Sequence, residues 1–322
     1  MQVFNIDSGD VPGLGDRRYM PIAHLDAAEN VFFQRELEQM LTEQFDVKRI
    51  PLRSKLFVPM RNGIDPGAET VGYEGSDWLG AAKEISDFSD DVPNVNVKGQ
   101  QNFVPMRSYG VGCNFSLGEI RAAAKAGRPL ERMRLEACRK AMDLKLDDIL
   151  AMGDTGRGIY GLLNQASAAT VTPVAKLGGG TTWSTAAADE ILTDLYAMVD
   201  KINVDSAGAE RCSQIILPLA AYRIAARKRL DASVSDTTVL EFFKSQNPGV
   251  SVDEWERCNS VSSDTRAVAY SKEMLNVHAL MAVEFETLAP QVKNFATKVL
   301  CHMRTGGVVS PYPKSIVYCS GI

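Results

Sequence analysis

Residues 57–112 read FVPMRNGIDPGAETVGYEGSDWLGAAKEISDFSDDVPNVNVKGQQNFVPMRSYGVG, and the question of what stabilises them decides the fold. Glycine and proline recur throughout. Two short alternating runs, Val95-Asn96-Val97 and Tyr109-Gly110-Val111-Gly112-Cys113-Asn114-Phe115, predict strands. The remainder offers too little apolar surface to build a core, and an isolated two-stranded hairpin is marginal in water. A segment of this kind must either stay unstructured or lie on a surface that another molecule supplies, which points to an assembly.

The stretch that follows is the clearest helix of the chain. Ser116-Leu117-Gly118-Glu119 is a capping box, with Ser at the N-cap and Glu three residues on. The helix should run to about Ala126, break at Gly127-Arg128-Pro129 and restart, since proline is tolerated in a first turn. In the second segment Leu130, Met133, Ala137, Ala141 and Leu144 are expected on one buried stripe, with Glu136 and Lys140 as an i,i+4 ion pair. Glycine at 153 suits the helix end.

Outward from there the pattern mixes helices and strands. Before the quoted stretch, residues 1–25 are too poor in large apolar groups to fold alone, and Asp26 to Phe45 has helical spacing. After it, Ser184 precedes an amphipathic helix carrying Ile191, Leu195, Met198, Val199 and Ile202. Ser213 to Leu217 reads as a buried strand, Pro218 to about Arg229 and Thr237 to Lys244 as helices, and Val250 to Trp255 and Ala267 to Tyr270 as strands. The tail should alternate strands (Val277 to Phe285, Thr297 to Arg304, Ile316 to Cys319) with a turn at Thr305-Gly306-Gly307. The fold class is therefore α+β.

Composition excludes several function classes. The 322 residues are 45% hydrophobic, enough for one sizeable core or two modest ones. A net charge of -5 and a pI near 5.4 argue against a surface that grips nucleic acid throughout. The start, MQVFNIDSGDVPG, lacks the basic and apolar regions of a signal peptide. No apolar run approaches the roughly 20 residues that span a bilayer, so no membrane partner is expected. Six cysteines (Cys113, Cys138, Cys212, Cys258, Cys301, Cys319) have no CxxC pair and are expected as reduced, mostly buried thiols.

No motif carries catalysis. Gly153-Asp154-Thr155-Gly156-Arg157-Gly158 follows a helix and lacks the GK[ST] ending of a phosphate loop, so it reads as a turn between domains. His24, His278 and His302 stand in no HExxH or GxSxG context, and the cysteines lack zinc spacing. The carboxylate pairs Asp90-Asp91 and Asp147-Asp148 are of a common kind, and Arg227-Lys228-Arg229 reads as a solvated helix end. The chain is expected to be no enzyme and to hold no catalytic group, metal or cofactor.

Charge distribution says more. Between residues 62 and 101, Asp65, Glu69, Glu74, Asp77, Glu84, Asp87, Asp90 and Asp91 stand against Lys83 and Lys98, a local charge of -6. Between 121 and 145, Arg121, Lys125, Arg128, Arg132, Arg134, Arg139, Lys140 and Lys145 stand against Glu131, Glu136 and Asp143, a local charge of +5. Either these are two solvated faces, or the acidic hairpin of one copy docks near the basic helix of another, or the basic helix faces packaged DNA. The second reading makes Trp78, Leu79, Glu84, Asp87, Arg132 and Arg139 the candidate contact residues between subunits.

The order of these elements resembles the Hong Kong 97-type phage capsid fold, and the wording is similar to the single-chain major capsid proteins of tailed bacteriophages. ETVGYEGSDWLGAAKEISDFSDDVPNVNV (69–97), NFSLGEIRAAAKAGRPLERMRLEACRKAMDLKLDDILAMGD (114–154) and MRTGGVVSPYPKSIVYCSGI (303–322) carry the resemblance, which spans nearly the whole chain. It implies an N-arm (1–52), an E-loop reaching over a neighbour (53–112), a peripheral domain with a long spine helix (113–160 and 270–322) and an axial domain (161–269). It further implies pentamers and hexamers closing into an icosahedral shell around double-stranded DNA, assembled in the bacterial cytoplasm and ending in the virion. Portal and decoration proteins are implied partners. Because Met1 stands almost at the arm, a scaffolding protein is expected to be separate. Some relatives crosslink Lys to Asn; Lys83 lies near the hairpin tip, but the sequence singles out no matching acceptor among Asn276, Asn294 and the other asparagines. The alternative is an encapsulin-like nanocompartment enclosing a cargo enzyme.

Overall fold

The computed structural model describes residues 50–84, 94–127, 129–231, 236–259, 261 and 264–322. The chain divides into Met1–Ile50 and Pro51–Ile322, and the account below concerns the second unit. The helix expected from Asp26 to Phe45, and with it His24, Asp87, Asp90, Asp91 and Arg128, lies outside the described residues.

In chain order, α1 (Ser54–Phe57) and β1 (Met60–Arg61) lead into a hairpin of β2 (Thr70–Leu79) and β3 (Asn96–Pro105). Strand β4 (Arg107–Ser116) runs directly into α2 (Leu117–Ala126), then the long helix α3 (Leu130–Met152). A small hairpin, β5 (Gly153–Asp154) and β6 (Ile159–Tyr160), turns the chain back at the glycine-rich motif, as a turn rather than a phosphate loop. Next come β7 (Ala169–Val171), α4 (Ala188–Asp205), β8 (Gln214–Leu217), α5 (Leu219–Arg227), α6 (Val239–Gln246) and β9 (Ser251–Glu254). Strands β10 (Arg266–Tyr270), β11 (His278–Thr287), β12 (Gln291–Lys293), β13 (Ala296–Val309) and β14 (Ile316–Ser320) complete the α+β fold.

Two five-stranded sheets organise these elements. In the first, the order is β1-β11-β13-β12, and β4 also pairs with β13, antiparallel from Ala296↔Ser116 to Thr305↔Arg107. The second has the order β7-β14-β10-β8-β9. Its central strands are buried on both faces. Alternation along them sends Ile216, Val268, Ile316 and Tyr318 into one core and Ile215, Ala267, Ala269, Val317 and Cys319 into another. That is why these strands read in the sequence as continuous apolar runs. The first core lies beneath α3, β11 and β13, and the second under α4, α5 and α6.

Two expectations are corrected. Thr305-Gly306-Gly307 is no turn: β13 runs through it, with a register shift from Leu280↔Gly307 to Met281↔Thr305 that leaves Gly306 as an extra residue. The glycines are needed for close approach, since a Cβ at Gly307 would lie 2.3 Å from Ile159 and one at Gly306 2.7 Å from the Met106 sulfur. On α3 the buried stripe is Cys138, Met142, Leu146 and Ile149, whereas Ala137 and Ala141 are exposed. Both stripes have helical spacing, and the packing of the heavier side chains decided between them. The amphipathic helix expected after Ser184 is α4, which begins four residues on and buries Ile191, Leu195, Met198, Val199 and Ile202; the Glu190 carboxylate accepts from Ala187 N at 2.6 Å. All six cysteines are buried and free.

Candidate assembly surface

The hairpin is a ladder of ten antiparallel pairs, from Thr70↔Pro105 to Leu79↔Asn96. At about 3.3 Å per residue it is roughly 33 Å long. Among the described residues, its base is the part that packs on the body of the chain. Met106 N donates to Glu69 O at 2.8 Å, and Arg304 donates to Ala68 O at 2.6 Å. Val71, Tyr73 and Val104 pack on Met106, Leu280 and Val309. Beyond the base both strand edges are open, within the described residues, and side chains are exposed on both faces.

Register sorts those side chains. Trp78 is opposite Val97, and Phe103 is opposite Gly72, an even number of residues along, so all three share one face. Trp78 is 72% exposed, Val97 71% and Phe103 66%. Leu79 is on the other face, opposite Asn96, and is also exposed, as is Glu84 just past the strand. Exposed aromatic and branched side chains on a two-stranded ladder are what a partner surface would cover.

The basic segment is a separate surface, built on the N-terminal half of α3. There the helix is largely exposed, and burial begins in earnest only from Met142 onward. Arg132 is outermost, its side chain 80% exposed, and it bonds Glu136 one turn on at 2.9 Å. Glu136 thus pairs backward to Arg132. Arg139 lies with its guanidinium 5.7 Å from the centre of the Phe285 ring. Of the six candidate contact residues, Trp78, Leu79 and Glu84 gather near the hairpin tip, Arg132 and Arg139 lie on α3, and Asp87 is outside the described residues.

Between hairpin and helix, the corner of α2 and α3 is locked electrostatically. The capping box forms as the sequence predicts, with Ser116 Oγ accepting from Glu119 N and Glu119 accepting from Ser116 N, both at 3.1 Å. Arg134 grips the Glu119 carboxylate with two nitrogens at 3.0 and 2.8 Å, donates to Asn114 O and lies over the Phe115 ring. Arg134, followed by the Ser116 amide, holds the Glu119 carboxyl down at about 2. The folded-state value is depressed, so this contribution to stability is complete above the ordinary glutamate range and is lost as pH falls toward 2. Thermal midpoints measured between pH 6 and 2 should therefore fall less steeply for Glu119→Gln than for the unaltered chain; parallel acid limbs would show that the carboxylate adds nothing.

One feature escaped the sequence reading. Lys293↔Ala296 closes β12 on β13 across a two-residue connection, Asn294-Phe295, whose Phe ring is 85% exposed. The signal available was an aromatic residue after Asn between two strand-forming runs. Among the described residues no cluster of His, Cys, Asp and Glu is arranged to hold a metal ion.

A body of two sheets and one long helix, from which an ordered hairpin projects with bare apolar side chains, defines a subunit that its own copies complete. The chain belongs to the major capsid protein family, which matches over residues 80–322. Its role is structural. The fold is similar to that of the capsid of Myoviridae phage XM1, at 16% identity and a TM-score of 0.79, covering 91% of this chain and 99% of that one. It is similar to the capsid of a native GTA particle, at 10% identity and a TM-score of 0.63, covering 88% and 94%. A virus-like particle from Pyrococcus furiosus aligns at 14% identity and a TM-score of 0.50, covering 82% and 90%. No curated protein matches the sequence.

Proposed function

We propose that this chain builds the icosahedral head of a tailed bacteriophage, through pentamers and hexamers that enclose double-stranded DNA. The observation that carries the reading is the ladder of Thr70–Leu79 with Asn96–Pro105, which among the described residues packs on its own chain at the base and leaves Trp78, Leu79 and Val97 exposed. It lies across an adjacent copy, which covers Trp78, Leu79 and Glu84 and brings Asp87 with them. Arg132 and Arg139 on the neighbour's α3 supply the opposite charge. Complementary fields of this kind fix register and orientation more than they add affinity.

The finer division follows the same reading. Residues 1–52 act as an arm, 53–112 as the segment that reaches a neighbour, 113–160 with 270–322 as the peripheral domain, and 161–269 as the domain nearest the symmetry axes. Assembly takes place in the cytoplasm of the bacterial host, and portal and decoration proteins complete the head. The weaker alternative, a nanocompartment around a cargo enzyme, draws on the likeness to the Pyrococcus furiosus particle, which is lower than that to phage XM1.

Negative-stain microscopy of the expressed chain, followed by mass spectrometry of the purified particles, tests both. Closed shells without a stoichiometric second enzyme are expected. A lone soluble monomer at high concentration would sink the proposal, and a copurifying enzyme would replace it with the alternative.

A further inference from the structure

The turn at Asn294-Phe295 is held against its own conformational preference. Both residues have positive φ, 48° and 58°, in a two-residue connection between paired strands. Such a connection takes Asn readily at its first position and wants Gly at its second. A bulky aromatic residue there clashes with its own backbone. Among the described residues the ring gains little packing in return, since Phe295 is 85% exposed and its neighbour Val292 80%. The turn is nevertheless fastened in place, because Phe295 O accepts from Leu117 N, the first residue of α2, at 3.0 Å. Strain, apolar exposure and a firm anchor together describe a side chain that is presented.

A matching recess lies close by. Between α2 and the start of α3 is a groove of about 740 Å³, walled by Ile120, Ala123, Ala124, Pro129, Leu130 and Leu135, with Glu131 and Arg132 also among its lining residues. The two alanines leave it open, and α2 buries none of its residues in the isolated chain. Although Thr297 forms part of the same wall, the ring of Phe295 two residues earlier stays in solvent instead of entering.

We propose that the Val292–Phe295 turn of one copy seats in the groove between α2 and α3 of an adjacent copy. This rests on the self-assembly reading above, which makes other copies of this chain the lateral neighbours. Apolar knob meets apolar groove; of the two charged groups that line it, Arg132 is already paired with Glu136, and Lys293 on the turn is opposite in charge to the other, Glu131. Knob and groove are different surfaces, so the contact is heterologous: each copy gives one turn and receives one, and the contacts close into a ring. A single buried aromatic residue of this kind strengthens a larger interface and does not make one alone.

Two variants of the full chain test it. Phe295→Gly gives the turn its preferred residue, so the thermal midpoint of the free subunit should hold or rise. Its shells should nonetheless stand in equilibrium with roughly tenfold more free subunit. In the second, Phe295→Cys is combined with Ala124→Cys, and assembled shells are oxidised gently. Linked oligomers should appear on a non-reducing gel, with neither single variant producing them. Normal shells from both variants, with no linked species and no excess free subunit, would overturn the docking. If the unaltered chain forms no shells at all, the self-assembly reading fails first and the docking falls with it, so the two failures are distinguishable.

Discussion

Replacing Glu74–Gln101 by Asn-Gly is expected to leave a folded subunit that no longer forms shells. The excision is conservative because of how the hairpin is rooted. Tyr73 and Asn102 face each other in the ladder, so a two-residue turn rejoins them. Val71, Tyr73 and Val104 remain, and with them the packing on Met106, Leu280 and Val309. The hydrogen bonds Met106 N to Glu69 O and Arg304 to Ala68 O also remain. The described residues that are lost, Trp78 and Val97 included, are exposed and so contribute little to the free subunit. The thermal midpoint should stay within about 4 °C, the shift that roughly 1 kcal/mol produces in a domain of this size.

Assembly should respond very differently. The excised part carries six ladder pairs, Glu74↔Gln101 to Leu79↔Asn96, about 20 Å of strand, together with the aromatic and aliphatic anchors that dominate interfaces. Without it, size-exclusion chromatography and microscopy should show subunits or small oligomers at every concentration tested. Closed shells from the shortened chain would mean that the projecting hairpin is not what holds copies together.

What the sequence disclosed, and what it withheld, follows from where each signal arises. The capping box at Ser116 and Glu119 was legible because it is local: four residues determine two hydrogen bonds. The dearth of apolar surface in residues 57–112 was legible too, since composition alone limits what a segment can bury. By contrast, the buried stripe of α3 was misread, because two faces of the helix have similar spacing and only the facing sheet selects Cys138, Met142, Leu146 and Ile149. The glycines at 306 and 307 looked like a turn, yet they serve contacts to Met106 and Ile159, far away in sequence. Strand β2 gave no clear alternation, because most of its residues face solvent on both sides. At the surface, Trp78 and Arg132 were accessible to charge and composition arguments. Phe295 was not, since its conformation is set by a pairing register that sequence spacing does not reveal.

Asp194→Ala should be among the most destabilising single substitutions in the chain, at about 3–5 kcal/mol. Lys176 and Asp194 form an ion pair whose side chains are 0% and 1% exposed, with Nζ to Oδ2 at 2.5 Å. The carboxylate also accepts from Trp183 Nε1 at 2.8 Å and Val174 N at 2.9 Å. It therefore ties one face of α4 to the whole segment 174–183, whose Trp183 is buried in the second core. Removing it leaves a buried ammonium without its paired carboxylate, with Glu190 as the remaining nearby acid, and two N–H donors without an acceptor, and the cost of those orphans exceeds the worth of the bonds themselves. Lys176→Met should cost less, because the carboxylate keeps both N–H donors. Asp194→Asn should fall between the unaltered chain and Asp194→Ala, since its carbonyl can still accept. Hydrogen exchange should place the loss: amides in 174–202 should lose protection while the β4–β13 ladder keeps its own. A denaturation midpoint for Asp194→Ala within about 1 kcal/mol of the unaltered chain would show that the core relaxes around the orphaned lysine, and that this pair is not what pins the segment to α4.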